Sequence, residues 1–276
     1  MKNRPKILKI GFIGCGAIGS RLAKSVKQDL KKDCVIAGLY DLAPEKPQSL
    51  VTSLKLRPSL IKKSLNDLIR CSDFIVEAIA SQETTAIIQK VIRAKKGIMI
   101  MSIGKALPIP QAFALAEKNH TPVLLPSGAI GGLDVIKSIG AENITKITLT
   151  TSKPPSSLSQ SDYLTQKKII LSKVRAETVI FDGTVRESIK LFPRNINVAA
   201  ALAIASGAEK KIRIRIKTSP KFKLNSHEIE ICGHFGRMVL RTDNVACPDN
   251  PKTSYLAVLS AVQTLKQFFH SVKIGT

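Results

Sequence analysis

The chain has 276 residues and a formal net charge of +23, with 43 lysines and arginines against 20 aspartates and glutamates. Its 44% hydrophobic content supplies real cores for one large or two modest domains. Its five cysteines (Cys15, Cys34, Cys71, Cys232 and Cys247) form no close pair, which argues against a disulfide framework and for the reducing cytosol. No apolar run approaches the ~20 residues of a membrane span.

Residues 1–22 imitate a signal peptide, with basic residues before an apolar stretch, but a glycine turn interrupts that stretch. Residues 7–13 are instead a strand-length apolar run ending in Gly14-Cys15-Gly16-Ala17-Ile18-Gly19, a Gly-x-Gly-x-x-Gly turn. A helix follows, marked by Ile18, Leu22, Val26 and Leu30 with Arg21, Lys24 and Lys27 between them. In such a turn Gly14 permits the bend, Gly16 lets a pyrophosphate approach the backbone, and Gly19 lets helix pack on strand. The helix N-terminus then offers N–H groups and a positive dipole end to the phosphates. Gly14, Gly16, Ala17, Ile18 and Gly19 are therefore expected to contact a dinucleotide.

A second apolar run, 35–40, ends in Asp41, about twenty residues beyond the turn, where the fingerprint places an acid on the ribose 2′-hydroxyl. No arginine stands beside Asp41 to receive a 2′-phosphate, so NAD is the expected cofactor. NADP stays open because Lys46 is near.

Alternation of strand and helix continues to about residue 126. Helices are expected around 50–56, 65–69, 84–94 and 111–118, and strands at 73–78, 98–103 and 123–125. That order predicts a Rossmann-type, doubly wound parallel sheet, with ligands beyond the carboxyl ends of its strands. Ser81, residues 102–105 and residues 127–132 fall at those ends. After Gly132 the pattern changes to a smaller α+β domain. Strands at 144–151, 178–181, 211–218, 228–232 and 237–240 and helices from about 185 and 198 predict an antiparallel sheet. A last helix, 251–269, carries Leu256, Leu259, Val262 and Leu265 or Lys266 at core spacing and is expected to return to the first domain. The expected division is 1–128 for dinucleotide binding, completed by helix 250–276, and 129–249 for substrate and dimerisation.

The positive charge is densest over 210–223, where Ile212, Ile214 and Ile216 alternate with Arg213, Arg215 and Lys217. That is a half-buried strand rather than a nucleic-acid motif. The chain also lacks tryptophan, zinc-finger spacing and a stacking platform. Neither a specific nucleic-acid partner nor a membrane partner is expected, and no histidine–cysteine spacing suggests a metal.

Several segments resemble the L-aspartate dehydrogenase family: Pro126-Ser127-Gly128-Ala129-Ile130-Gly131-Gly132-Leu133-Asp134, Thr151-Ser152-Lys153-Pro154-Pro155, Phe192-Pro193-Arg194-Asn195-Ile196-Asn197-Val198-Ala199-Ala200, Asn225-Ser226-His227-Glu228-Ile229 and Asn250-Pro251-Lys252-Thr253-Ser254. With the N-terminal fingerprint they cover nearly the whole chain in order. Lys105 departs from the small residue more usual in relatives. The resemblance implies NAD(P)-dependent oxidation of L-aspartate to iminoaspartate and a link to NAD biosynthesis; the cysteines point to a cytoplasmic protein, and an inserted sheet with an exposed face is expected to form a homodimer interface. It also implies that Ala129 and Asn197 contact the cofactor and that His227 is the active-site residue.

The chemistry agrees, because hydride leaves Cα readily only when the amine is neutral, and imidazole, with an ordinary pKa of ~6.5, accepts its proton near neutrality. His120, His234 and His270 are the competing histidines, in helix-end and turn contexts. A helix N-cap is the simpler reading of Asn197. Arg186, Lys190, Arg194 and Lys105 are positional candidates for binding a dicarboxylate. Two other readings stay open: a related two-domain oxidoreductase resembling homoserine dehydrogenase or dihydrodipicolinate reductase, and a non-catalytic NAD sensor that binds polyanions.

Overall fold

A computed structural model describes residues 7–79, 81–158, 162–192, 197–248 and 250–275. The chain divides into two compact units, Met1–Pro126 with Val258–Lys273 and Ser127–Ala257 with Ile274–Thr276.

In the first unit β1 (Leu8–Ile13) leads through the glycine turn into α1 (Ala17–Gln28), β2 (Cys34–Tyr40), α2 (Glu45–Ser53) and α3 (Leu65–Cys71). The chain continues through β3 (Phe74–Glu77), α4 (Thr84–Arg93), β4 (Gly97–Ile100), α5 (Ile103–Ala106), α6 (Pro110–Lys118) and β5 (Val123–Leu124). All pairings are parallel and the order is β2-β1-β3-β4-β5. The winding reverses between β1 and β3, the switch point at which such sheets bind ligands.

The two-residue period of the strands sorts side chains onto two buried faces. Ile10, Phe12, Phe74, Val76 and Met99 pack with Leu22, Ala23 and Val26 of α1 and Leu50 and Val51 of α2. Ile13, Ile75, Ile98 and Ile100 pack with Leu68 of α3, Ile88 and Val91 of α4 and Ala112 of α6. The expected strand over 98–103 is shorter: β4 stops at Ile100, and Ser102 precedes the short α5.

The second unit contains α7 (Leu133–Ile139), β6 (Ile144–Lys153), α8 (Asp162–Gln166), β7 (Thr178–Thr184), α9 (Val185–Leu191) and α10 (Asn197–Ser206). It continues with β8 (Ile212–Thr218), β9 (Asn225–Gly233), β10 (Gly236–Asn244), β11 (Ala246–Cys247) and β12 (Asn250–Ser254). Its main sheet runs β10-β9-β6-β8-β7 and is mixed rather than purely antiparallel, because β6 and β8 are parallel. The chain leaves β6, forms the edge strand β7, and returns through α9 and α10, so helices do supply a crossover between the parallel pair. Helix α9 starts with a capping box in which Thr184 and Glu187 satisfy each other's backbone N–H groups.

The last helix, α11 (Tyr255–Phe269), corrects two expectations. Residues 250–254 form β12, which pairs with β11, so the helix starts at Tyr255 rather than Pro251. Its buried stripe is Val258, Ala261 and Leu265, whereas Leu256 and Leu259 are exposed. Both series have helical spacing, so periodicity does not choose between adjacent stripes; docking on the first unit's core does. There Ala261 and Leu265 join the cluster containing Phe12 and Phe74, and Phe268 stacks on Phe74 with ring centroids 5.3 Å apart. No helix is long and apolar enough to cross a membrane among the described residues.

Leu265 is fully buried. Leu265→Ala should therefore destabilise the chain by about 2–5 kcal/mol, the usual cost of such a cavity. Leu259→Ala, on the exposed stripe, should cost far less; equal losses in urea melts would reject this placement of α11.

Candidate active site

The glycine turn of the first unit lies at the carboxyl end of β1. Gly14 has φ +95°, and a Cβ there would sit 2.3 Å from the Ala78 carbonyl oxygen. A Cβ on Gly19 would lie 1.9 Å from the Gly14 oxygen, so α1 approaches the turn as only glycine allows. Gly16 is the opposite case, since a Cβ there meets nothing within 4 Å. The space over Gly16 borders the N-terminus of α1, which has neither an acidic residue in its first turn nor a side-chain cap. Open space, peptide N–H groups and a positive dipole end fit a dinucleotide diphosphate, with Ala17 and Ile18 forming the first turn of the helix.

Asp41 follows β2 with its side chain 5% exposed. Its Oδ2 accepts from the Cys15 N–H at 2.7 Å and its Oδ1 from the Ala43 N–H at 3.0 Å. A carboxylate has about four acceptor sites, so these bonds aim the group and leave capacity for ribose hydroxyls. Lys46 Nζ lies 3.6 Å from Oδ1, partly offsetting the charge that would repel a 2′-phosphate. Burial and the Asp41 charge push the Cys15 thiol up to about 12, so it stays protonated.

Glu77 was not anticipated as a site residue, although an acid inside the buried run 73–78 is itself a signal. It ends β3 opposite Ile13 of β1 and is fully buried. Its carboxyl accepts from the Ile79 N–H (2.8 Å), the Ser102 N–H (3.1 Å) and the Ser102 hydroxyl (2.9 Å), tying the ends of β3 and β4 together. Those bonds favour ionisation, but desolvation outweighs them and raises its pKa to about 7.

In the second unit one sheet face is lined by Ile147, Leu149, Ile212, Ile214, Ile216, Ile229 and Ile231, all buried. The same face turns polar at the end of β6. Register pairs Thr151 with His227 of β9, and His227 with Thr242 of β10. His227 is buried, with Nδ1 3.0 Å from the Thr151 hydroxyl oxygen. In the tautomer that leaves Nε2 an acceptor, Nδ1–H donates to Thr151. Burial first, and the Lys153 charge second, lower its pKa to about 4, well below the ordinary value that the sequence argument used. The imidazole is thus neutral across the physiological range.

Beside His227, the Thr242 hydroxyl donates to the Ala129 carbonyl at 3.0 Å and the buried Asn244 amide donates to it at 3.1 Å. The structure thereby brings Ala129 and His227 to one end of one sheet. Asn197 opens α10 as its first helical residue, at an exposed position, rather than standing before the helix as a cap. His120, His234 and His270 are all exposed. Arg186 is 81% exposed and paired with Glu209 at 2.7 Å, and Lys190 is exposed on α9. Lys105 lies in α5 of the first unit, and Arg194 falls outside the described residues. The three cations of basic strand β8 share two carboxylates: Arg213 and Arg215 both bond Asp182, and Lys217 lies 2.7 Å from Glu177. That pairing counts against a polyanion-binding surface on β8.

Comparison with known proteins separates the remaining readings. Residues 14–126 match the NAD-binding domain of homoserine dehydrogenase, and residues 134–268 match the C-terminal domain of aspartate dehydrogenase. The L-aspartate dehydrogenase of Methanosarcina mazei is 37% identical over 98% of this chain and 100% of its own length. That of Nitrosopumilus maritimus is 35% identical over 97% and 99%. Among solved structures, aspartate dehydrogenase from Thermotoga maritima aligns over 97% of this chain and 99% of its own with TM-score 0.72 and 23% identity, which supports the fold. A homoserine dehydrogenase from Thiobacillus denitrificans aligns over 97% of this chain and 76% of its own with TM-score 0.59 and 13% identity. The two halves thus match models named for different dehydrogenases, and His227 lies in the half that matches the aspartate dehydrogenase model.

Two outcomes follow from these geometries. Asp41→Ala should weaken NADH binding and narrow the preference over NADPH, whereas Lys46→Ala should weaken NADPH selectively. Fluorescence titrations in which Lys46→Ala leaves NADPH affinity unchanged would remove Lys46 from cofactor selection. Glu77 has a folded pKa of about 7 against an ordinary value of 4.5, so its stabilising contribution is complete below 4.5 and lost as pH rises to 7. That loss is about 3 kcal/mol. Glu77→Gln sacrifices the bond from the Ser102 N–H, yet its melting temperature should vary less over this window than that of the parent.

Proposed function

The chain belongs to the L-aspartate dehydrogenase family, and on that premise we propose that it oxidises L-aspartate to iminoaspartate using NAD, with His227 as the residue that accepts the amine proton. The observation that carries this reading is a buried, neutral imidazole held at Nδ1 by Thr151, in the half of the chain that resembles aspartate dehydrogenases.

The substrate amine enters as an ammonium and is not a hydride donor in that form. Transfer of one proton to Nε2 of His227 gives imidazolium and a free amine, whose nitrogen lone pair can form the C=N bond as the Cα–H bond breaks. The nicotinamide, when bound, supplies the acceptor for that hydride and its two electrons. Gly14, Gly16, Ala17, Ile18 and Gly19 would hold the diphosphate and Asp41 the ribose, with Ala129 and Asn197 as further cofactor contacts. Thr151 keeps the imidazole oriented and, by taking the Nδ1 proton in a hydrogen bond, keeps Nε2 open. Burial excludes the water that would compete for the proton.

The product is a reactive imine suited to a condensation that builds the pyridine ring of NAD, and supply of NAD synthesis is the metabolic role we assign. The same reading makes the enzyme a cytoplasmic homodimer. It is supported by five free cysteines and by exposed apolar groups such as Val239 on β10, and sedimentation would test the dimer.

Following NADH formation with L-aspartate, L-homoserine and L-malate should give turnover with L-aspartate; turnover with L-homoserine alone would reject the proposal. His227→Ala should lower kcat by roughly 10²- to 10⁴-fold while leaving NADH affinity unchanged. In the parent, kcat/KM should lose activity on the acid side near pH 4, where free His227 takes a proton, rather than near 6.5. A folded His227→Ala variant with parental hydride-transfer rate would remove the residue from the mechanism.

A further inference from the structure

The end of the second sheet that carries His227 also carries an oxygen that the chain does not satisfy. Asn225 is the first residue of β9, two positions before His227, so the strand's two-residue period puts both on one face. Asn225 Oδ1 is the one buried side-chain nitrogen or oxygen without a hydrogen-bond partner among the described residues. The residue as a whole is partly exposed, whereas Ile229 and Ile231 farther along the same face are buried, so the amide borders solvent rather than the isoleucine core.

The donors around it are committed elsewhere. Register sets Asn225 opposite Asn244 of β10. The two N–H bonds of the Asn244 amide go to the Ala129 carbonyl at 3.1 Å and to the Thr242 hydroxyl oxygen at 3.3 Å. The Ser254 hydroxyl donates to Asn244 Oδ1 at 2.6 Å, and the Thr242 hydroxyl donates to Ala129. The ammonium of Lys153, buried at the end of β6, does not bond Asn225 Oδ1 either. A buried acceptor left without a donor costs stability, and leucine would fill the same space without that cost, so an oxygen here calls for a donor that arrives with a ligand.

We propose that Asn225 Oδ1 accepts an N–H of the substrate amine beside His227, and so helps to select an amino acid over a hydroxy acid. This rests on the oxidation of L-aspartate proposed above. An ammonium has three N–H bonds; His227 takes one proton, and the remaining N–H groups need acceptors once water is displaced. A hydroxy acid offers a single O–H to the same two acceptors. A neutral amide oxygen suits the position because it holds an N–H without competing with the imidazole for the proton. The bond also strengthens during the reaction. As hydride leaves Cα and the nitrogen lone pair forms the C=N bond, the amine becomes an iminium whose hydrogens carry more positive charge.

The test uses the full chain saturated with NADH, which cannot accept hydride, so that L-aspartate binds without reacting. Calorimetry then compares L-aspartate with succinate, which has both carboxylates and no amine. Asn225→Leu should weaken L-aspartate by roughly 10- to 10²-fold, the scale of a hydrogen bond from a charged donor, and leave succinate unchanged. With NAD the variant should also lose kcat, while NADH affinity stays the same and the melting temperature holds or rises. Equal weakening of both ligands overturns the assignment, because the amide would then serve a carboxylate. Unchanged binding of both overturns it too, and makes the oxygen a site for water. A parent chain that fails to oxidise L-aspartate overturns the activity on which the assignment rests, and the assignment with it. If Asn225→Leu does not fold, Asn225→Ala carries the same comparison.

Discussion

The second unit is organised by one electrostatic constraint: an ammonium and an imidazole share the buried end of an otherwise isoleucine-lined sheet face. Two groups that can both carry positive charge in a low-dielectric setting oppose each other's protonation. The imidazole yields first, because its ordinary pKa is far lower, and stays neutral while the lysine stays charged near neutrality. The result is a neutral imidazole within reach of a buried ammonium's charge. The hydroxyls of Thr151, Thr218 and Thr242 bind this end together without adding charge.

The first unit solves a different problem with backbone. Its glycine turn excludes side chains at Gly14 and Gly19 and leaves space over Gly16. Asp41 is part of the same construction: by accepting from the Cys15 N–H, it ties the end of β2 to the turn after β1. Lys46 Nζ lies 3.6 Å from the same carboxylate. Glu77 does similar joining between β3 and β4, but as a fully buried carboxyl whose ionisation opposes its burial. The two acids therefore differ: Asp41 ties β2 to the glycine turn, and Glu77 ties the ends of β3 and β4.

The net charge of +23 bears on neither site directly. Its densest run folds as β8, where alternate isoleucines enter the core and the intervening cations pair with Asp182 and Glu177 on the other side of the pleat. The alternation read from sequence is thus a strand pattern, and its cations pair with acids in and just before the neighbouring strand β7.

The dinucleotide half was legible from sequence because its information is contiguous. Strand, glycine turn, helix and terminal acid act through local backbone geometry, so their order specifies the fold. His227 was singled out only through the family segments, whereas the alternation in β8 was legible through its two-residue period. The mixed pairing of the second sheet was not, because strand direction depends on where intervening helices carry the chain. Nor was the buried stripe of α11, since Val258–Ala261–Leu265 and Leu256–Leu259 satisfy the same spacing and only docking distinguishes them. Lys153 lay in a family-like segment but read as part of a chain break. Its place near the imidazole depends on register between β6 and β9, which brings Thr151 to His227 across 76 residues of sequence. Residue types and local turns can be read along the chain; burial, and the pKa values and partners that burial creates, come only from strands that meet in space.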